Sequence, residues 1–259
     1  SGIESSAFDI TLDTRGSMAE VFTRVTGNLS ANGQDSRGLS LVAEADATER
    51  VQTTVYGSVS GAGLRGAGAD ISIQADRSTG IVSSIIGNDV IAAGEQSAGF
   101  RLGLFAGQQA APTTLKVGGN VQVADTGVSG TGVAIDLATP KLTGPVRLDV
   151  RGGVYAGATE STGAHVAMTS SNELSAQALI VDVNDTLAAT AEDATGLNVF
   201  LTNAIGTGSV ALSIGKNRAT EGGVFVEGEL ATGAMVKTYA KNGGTGSIDT
   251  LVDGSISAK

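Results

Sequence analysis

The segment Ser161–Ala189, STGAHVAMTSSNELSAQALIVDVNDTLAA, is spelled again in other words along the whole chain. A small residue, usually Gly, precedes an alternating apolar run at Ala7, Gly38, Gly68, Gly99, Gly132, Gly163, Gly196 and Gly223. Successive anchors lie 31, 30, 31, 33, 31, 33 and 27 residues apart. A repeat of this length is one supersecondary unit that cannot bury its own apolar face. Such units stack on their neighbours and share a core, so the period points to a solenoid.

Within each unit the apolar residues keep one parity. Phe8, Ile10 and Leu12 follow the first anchor, Leu39, Leu41 and Ala43 the second, and Ala69, Ile71 and Ile73 the third. The pattern continues through Phe100/Leu102/Leu104, Val133/Ile135/Leu137, Ala164/Val166/Met168 and Leu197/Val199/Leu201. Intervening positions are mainly polar or small, among them Asp9, Ser40, Asp70, Arg101, Asp136, His165 and Asn198. Period two with one apolar parity means a strand with one buried face.

A polar loop is expected next, then a second alternating series. This comprises Val21–Val25, Val51–Val55, Leu115–Val117, Val146–Val150, Leu179–Val183, Val210–Ile214 and Ile248–Val252. Each run enters a corner column read as Gly27, Gly57, Gly87, Gly119, Gly152, Asp185, Lys216 and Gly254. Gly belongs where the backbone takes φ > 0 or approaches a neighbouring turn closely. A third short strand closes the unit, as in Leu29/Ala31, Val59/Gly61, Val121/Val123, Val154/Ala156, Leu187/Ala189 and Ile256/Ala258.

Helical repeats are excluded by the period of two. Propeller blades are longer and carry Trp or Gly-His signatures, whereas this chain has no Trp. A transmembrane barrel needs longer strands and aromatic girdles, which 3% aromatics do not supply. The reading is all-β: a single-domain parallel β-helix (β-solenoid) over residues 1–259, with about eight coils of roughly 31 residues. Right-handed winding is expected, because crossovers between parallel strands are overwhelmingly right-handed.

Composition narrows the partners. A net charge of −10 repels phosphates and anionic membranes, so nucleic acid is not an expected partner. No apolar run approaches the ~18 residues of a membrane helix, so the chain is not expected to span a membrane. The absence of Cys rules out disulfide frameworks and Cys-based zinc sites.

Strings such as VYGSVSGAGLRGAGADISI (Val55–Ile73), VRGGVYAGATESTGAHVAM (Val150–Met168) and TGVAIDL, with Gly/Ala/Ser/Thr/Asp turns, carry a family likeness. The chain resembles the passenger and adhesin repeats of bacterial surface proteins, of the autotransporter or filamentous-haemagglutinin type. The likeness covers essentially the whole chain and is compositional and periodic. It implies a non-enzymatic, extracellular module on a bacterial surface, a stiff rod that displays binding loops or assembles with neighbours. Implied partners are host or environmental surface glycans or proteins, or further copies of the chain. No cofactor or metal is implied.

Parallel β-helices also include carbohydrate-active lyases and hydrolases, which defines the alternative. Three residues upstream of the corner, one column reads Lys116, Asp149, Asp182 and Ser213. Carboxylates on adjacent coils would lie about 5 Å apart, which suits acid/base chemistry or a cation. Arg147 and Arg151 flank Asp149 and would suit an acidic sugar; the plainer reading is a solvated charge ladder. His165, the single His, shares its column with Arg101, Ala134 and Asn198, with Asp136 diagonal to it. A His–Asp base is the chemical reading and a surface His the plain one.

Other candidates are weaker. Asp185 and Lys216 would form a corner ion pair. Gly243–Leu251, GGTGSIDTL, approaches a calcium β-roll repeat, but Asp249 stands one place late. Thr53-Thr54 and Thr113-Thr114 do not form the Thr ranks of ice binding, and GAGLRGAG (Gly61–Gly68) is a turn between strands rather than a phosphate loop. Binding is expected on the loops Gly107–Thr114, Ala138–Pro145 and Thr169–Ala178. Neither end shows an amphipathic cap, which suggests one segment of a longer surface protein or a subunit meeting its neighbours end to end.

Overall fold

A computed structural model describes residues 5–109, 111–124, 129–142, 144–174, 179–203, 209–215, 222–240 and 247–259. It is a β-solenoid of parallel strands with no helix among the described residues. Eight rungs stack along one axis and make about seven turns of about 31 residues. At ~4.8 Å per rung, seven steps span roughly 34 Å.

Each rung has three faces. In the first three rungs a single bent strand covers the first two: Ser5–Val25, Ser36–Val55 and Ala67–Ile86. Later rungs divide it, as in Gly130–Leu142 followed by Val146–Val150 and Thr162–Leu174 followed by Leu179–Val183. The third face is built from short strands in register, from Leu29–Asn32 and Val59–Ala62 up to Ser255–Ala258.

The polar loop expected after the first strand is therefore mostly strand. Gly107–Gln109, Ala138–Leu142 and Thr169–Leu174 all continue the first face. Residues 110, 143 and 175–178 of those expected loops lie outside the described residues. Polar residues here do not mark a loop, because Gln109, Thr139 and Ser170 are buried within the continuing strands.

Inward parity is as expected from the second to the seventh rung, where the columns merge into one large aliphatic core. In the end rungs Ile10, Leu12, Val236 and Val252 are partly buried against it, while Phe8, Ile248 and Ile256 are exposed. Volume is traded between coils: Phe100, the largest fully buried side chain, has Ala69 and Val133 as its in-register neighbours. Large beside small keeps a stack of fixed pitch close-packed. On the second face Thr23 and Thr53 point inward and are buried, as is Thr113, so these threonines cannot form an outer rank.

The glycine anchors have a specific cause. A methyl group on Gly38 would sit 2.5 Å from the carbonyl oxygen of Gly68, and one on Gly163 would sit 2.6 Å from that of Gly196. On Gly132 it would sit 2.5 Å from both the Gly163 oxygen and Val121 Cγ1. None of these three glycines has positive φ, so they provide room for the next coil and the third strand. The last anchor is corrected: Gly233, not Gly223, continues the column, since Gly196 faces the Gly233 carbonyl while Gly223 opens a third-face strand. A longer connection in the seventh rung displaces the anchor.

The corner column is corrected as well. Backbone bonds run Asn88 N to Gly57 O, Gly119 N to Asn88 O, Gly152 N to Gly119 O and Asp185 N to Gly152 O. Asn88 therefore occupies the corner where Gly87 was expected, and Gly87 stands one position earlier over Tyr56. Lys216 lies outside the described residues.

One residue beyond this corner is a device the repeat reading missed. Asn28 Oδ1 accepts from Ser58 N–H at 2.8 Å, Asp89 Oδ1 from Asn120 N–H at 2.7 Å, and Asn120 Oδ1 from Gly153 N–H at 2.9 Å. Each side chain caps the same position one coil above, which satisfies an amide the ladder leaves open. An Asn, Asp, Ser or Thr just before the third strand was the available signal.

Gly132→Ala is expected to lower unfolding stability by about 1–3 kcal/mol, since the added methyl overpacks against backbone. Gly27→Ala, which meets nothing within 4 Å, should be near neutral. Urea titration of the two variants checks the contrast, and equal midpoints would contradict the close-approach explanation.

Candidate functional site

The best-developed polar constellation lies on the second face, where outward residues form two columns. One holds Thr114, Arg147, Ile180, Ala211 and Asp249; the other holds Lys116, Asp149, Asp182, Ser213 and Leu251. The expected ladder is thus in register, with Asp149 directly beside Asp182.

What the sequence did not reveal is the course of Arg147. Its Nη2 reaches diagonally across the rung to Asp182 Oδ2 at 2.6 Å and lies 3.8 Å from Asp149 Oδ2. The Asp182 side chain is 9% exposed and that of Arg147 44%. A guanidinium between two carboxylates offsets the like-charge repulsion on which a proton-sharing pair depends. It also commits the arginine to acids already in the fold, which weakens the case for an acidic sugar. Arg151 lies away from this contact, in a shallow recess with Lys116 and Asp149.

Beside Arg147 and Asp182 the face sinks into a groove of about 530 Å³. Its floor is Ala211 and Ser213, and Asp249 and Leu251 of the last rung form the far wall. Ser213 is 8% exposed, and its Oγ has no hydrogen-bond partner among the described residues; the same holds for Arg147 Nε.

The other candidates are less developed. His165 Nε2 stands 4.0 Å from Asp136 Oδ1, beyond a hydrogen bond, so the pair is loose. Its column with Arg101, Ala134 and Asn198 is as expected. Among the described residues no group of three or more His, Cys, Asp or Glu is placed to hold a metal ion. Of the calcium-like stretch, residues 243–246 lie outside the described residues and Asp249 is exposed on a strand. No helix among the described residues is long and apolar enough to cross a membrane.

Tyr155, outward on the third face, carries a raised phenol pKa. Burial is the main cause and the Asp185 carboxylate the second, while a hydrogen bond with Thr186 pulls the other way. A phenol with a raised folded-state pKa keeps its proton where an unfolded tyrosine, near 10, has lost it. Its stabilising contribution is complete below about pH 10 and disappears as pH climbs through the folded value. Wild type should therefore lose stability above about pH 10 more steeply than Tyr155→Phe; parallel alkaline limbs in urea titrations would contradict this assignment.

Arg147→Met leaves the nearly buried Asp182 without its guanidinium. It is expected to lower stability by about 1–3 kcal/mol, less than for a fully buried pair because Arg147 is part-exposed. Lys116→Met, on an exposed side chain of the same ladder, should change little. Denaturant midpoints decide between them.

No protein-family model, curated protein or solved structure matches this chain.

Proposed function

We propose that the chain is a non-enzymatic structural and adhesion module of a bacterial surface, acting outside the cell as a stiff spacer that carries binding sites. The observation behind this reading is the large aliphatic core that continues from rung to rung along the stack. Backbone hydrogen bonds lie along the axis, so bending the rod strains ladders on all three faces together. Length grows by adding rungs, and outward residues vary without touching the core. The net charge of −10 keeps such rods apart in solution. Partners in this reading are surface glycans or proteins, or neighbouring copies.

The in-register Asp149 and Asp182 favour one alternative, a carbohydrate-active enzyme. Incubation of the pure protein with neutral and acidic polysaccharides, scoring retained polymer and newly released chain ends, separates the two. The surface-module reading expects no new ends with any polymer. Release of ends by wild type, lost in Asp182→Asn, would overturn it.

A further inference from the structure

We propose that the second-face groove is a binding site for a neutral, hydroxyl-rich sugar ring, with Asp182, Arg147 and Ser213 as its polar contacts. The proposal deepens the surface-module reading and rests on it only for the source of the sugar, an external glycan.

The groove exists because side-chain volume is missing from one strand. Ala211 and Ser213 occupy the two outward positions of the seventh rung's second-face strand, Val210–Ile214, between Ile180/Asp182 on one side and Asp249/Leu251 on the other. Rungs are ~4.8 Å apart, so the flanking strands stand roughly 10 Å apart between backbone centres, which leaves about one ring thickness between their side chains. That width admits one pyranose ring, and about 530 Å³ falls within the range of small-ligand sites.

Two of its polar groups lack a hydrogen-bond partner among the described residues. The Ser213 hydroxyl is buried with no partner among the described residues, and Arg147 Nε lacks one as well. Leaving such a group unpaired is costly, and a ligand hydrogen bond would recover that cost. Serine needs only a χ1 rotation to present its hydroxyl to the groove. Together the site offers the exposed part of the Arg147 guanidinium as N–H donor, a hydroxyl that works both ways and a carboxylate acceptor. A sugar hydroxyl both donates and accepts, and so matches this mixture. Leu251, 56% exposed, and Ile180 and Ala211 supply apolar surface for the C–H face of the ring.

Charge selects against the other ligands. The lining carries Asp182 and Asp249 against Arg147, and Asp149 stands 3.8 Å from the same guanidinium. An anionic sugar or a phosphate would meet an excess of carboxylate, and its natural partner, Arg147, is already held by Asp182 at 2.6 Å. A bare cation would meet the guanidinium at the same acid. The neutral ring remains.

The test is calorimetric titration with glucose-, galactose- and mannose-based oligosaccharides, with oligogalacturonate as the acidic probe. Wild type should bind a neutral oligosaccharide and prefer it to oligogalacturonate. Ala211→Phe, on an exposed strand position, fills the groove and should abolish binding while thermal stability is retained. Ser213→Ala should weaken binding about tenfold with stability unchanged or higher, because the hydroxyl it removes has no partner in the free protein. No neutral binding, tighter oligogalacturonate binding, or neutral binding indifferent to Ala211→Phe would each overturn the assignment. The last outcome would leave the adhesion reading standing, with its site elsewhere. Cleavage of a bound oligosaccharide, lost in Ala211→Phe, would support the groove and overturn the non-enzymatic reading.

Discussion

The backbone step from one coil to the next, about 4.8 Å, governs everything else in this molecule. It favours glycine in the anchor column beyond the first coil, which carries Ala7, because a methyl at Gly38, Gly132, Gly163 or Gly196 would run into the carbonyl of the following coil. It places Asn28, Asp89 and Asn120 so that each side chain reaches an amide one coil above. It also fixes side-chain parity, since an in-register parallel stack cannot slip by one residue without turning the whole core outward. Anchor, cap and core are three consequences of one distance.

That dependence explains what could be read in advance. A fixed step makes period, parity and register inseparable, so the anchors from Gly38 to Gly196 and the ladder Lys116–Asp149–Asp182–Ser213 were all legible from spacing. The errors fall where a residue type stood in for a position. Gly223 has the expected identity but belongs to the third face, while Gly233 holds the place that needs room. Gly87 likewise stood in for Asn88. The strands continuing through Ala138–Leu142 and Thr169–Leu174 are polar enough to suggest loops, yet Thr139 and Ser170 are buried within the ladder, and composition alone does not distinguish a buried polar strand residue from a turn residue.

The candidate site shows the same division. Register brings Asp149 and Asp182 together, and spacing was enough to see it. The diagonal reach of Arg147 depends on side-chain length and direction, to which spacing is blind. Burial of Ser213 depends on what the sixth and eighth rungs place around it, including Leu251 from a strand with weak alternation. Pairwise adjacency is written in the sequence, whereas concavity is a property of three rungs taken together.

A solenoid face is therefore a grid whose outward positions can be rewritten without disturbing the ladders beneath. Loops are the usual place to look for function on such a scaffold, but a strand face holds its side chains more firmly, which a binding site requires. On the second face the grid carries its charges in compensated form, with one guanidinium serving two carboxylates, and the depression beside them comes from an Ala and a Ser where other rungs carry Arg, Ile or Asp. Two small residues on one strand suffice to turn a flat face into a groove. The sixth-rung wall is held by backbone bonds on both sides and the eighth-rung wall by its ladder to the seventh, so the groove is set by the backbone before any ligand arrives, and little ordering is left for binding to impose.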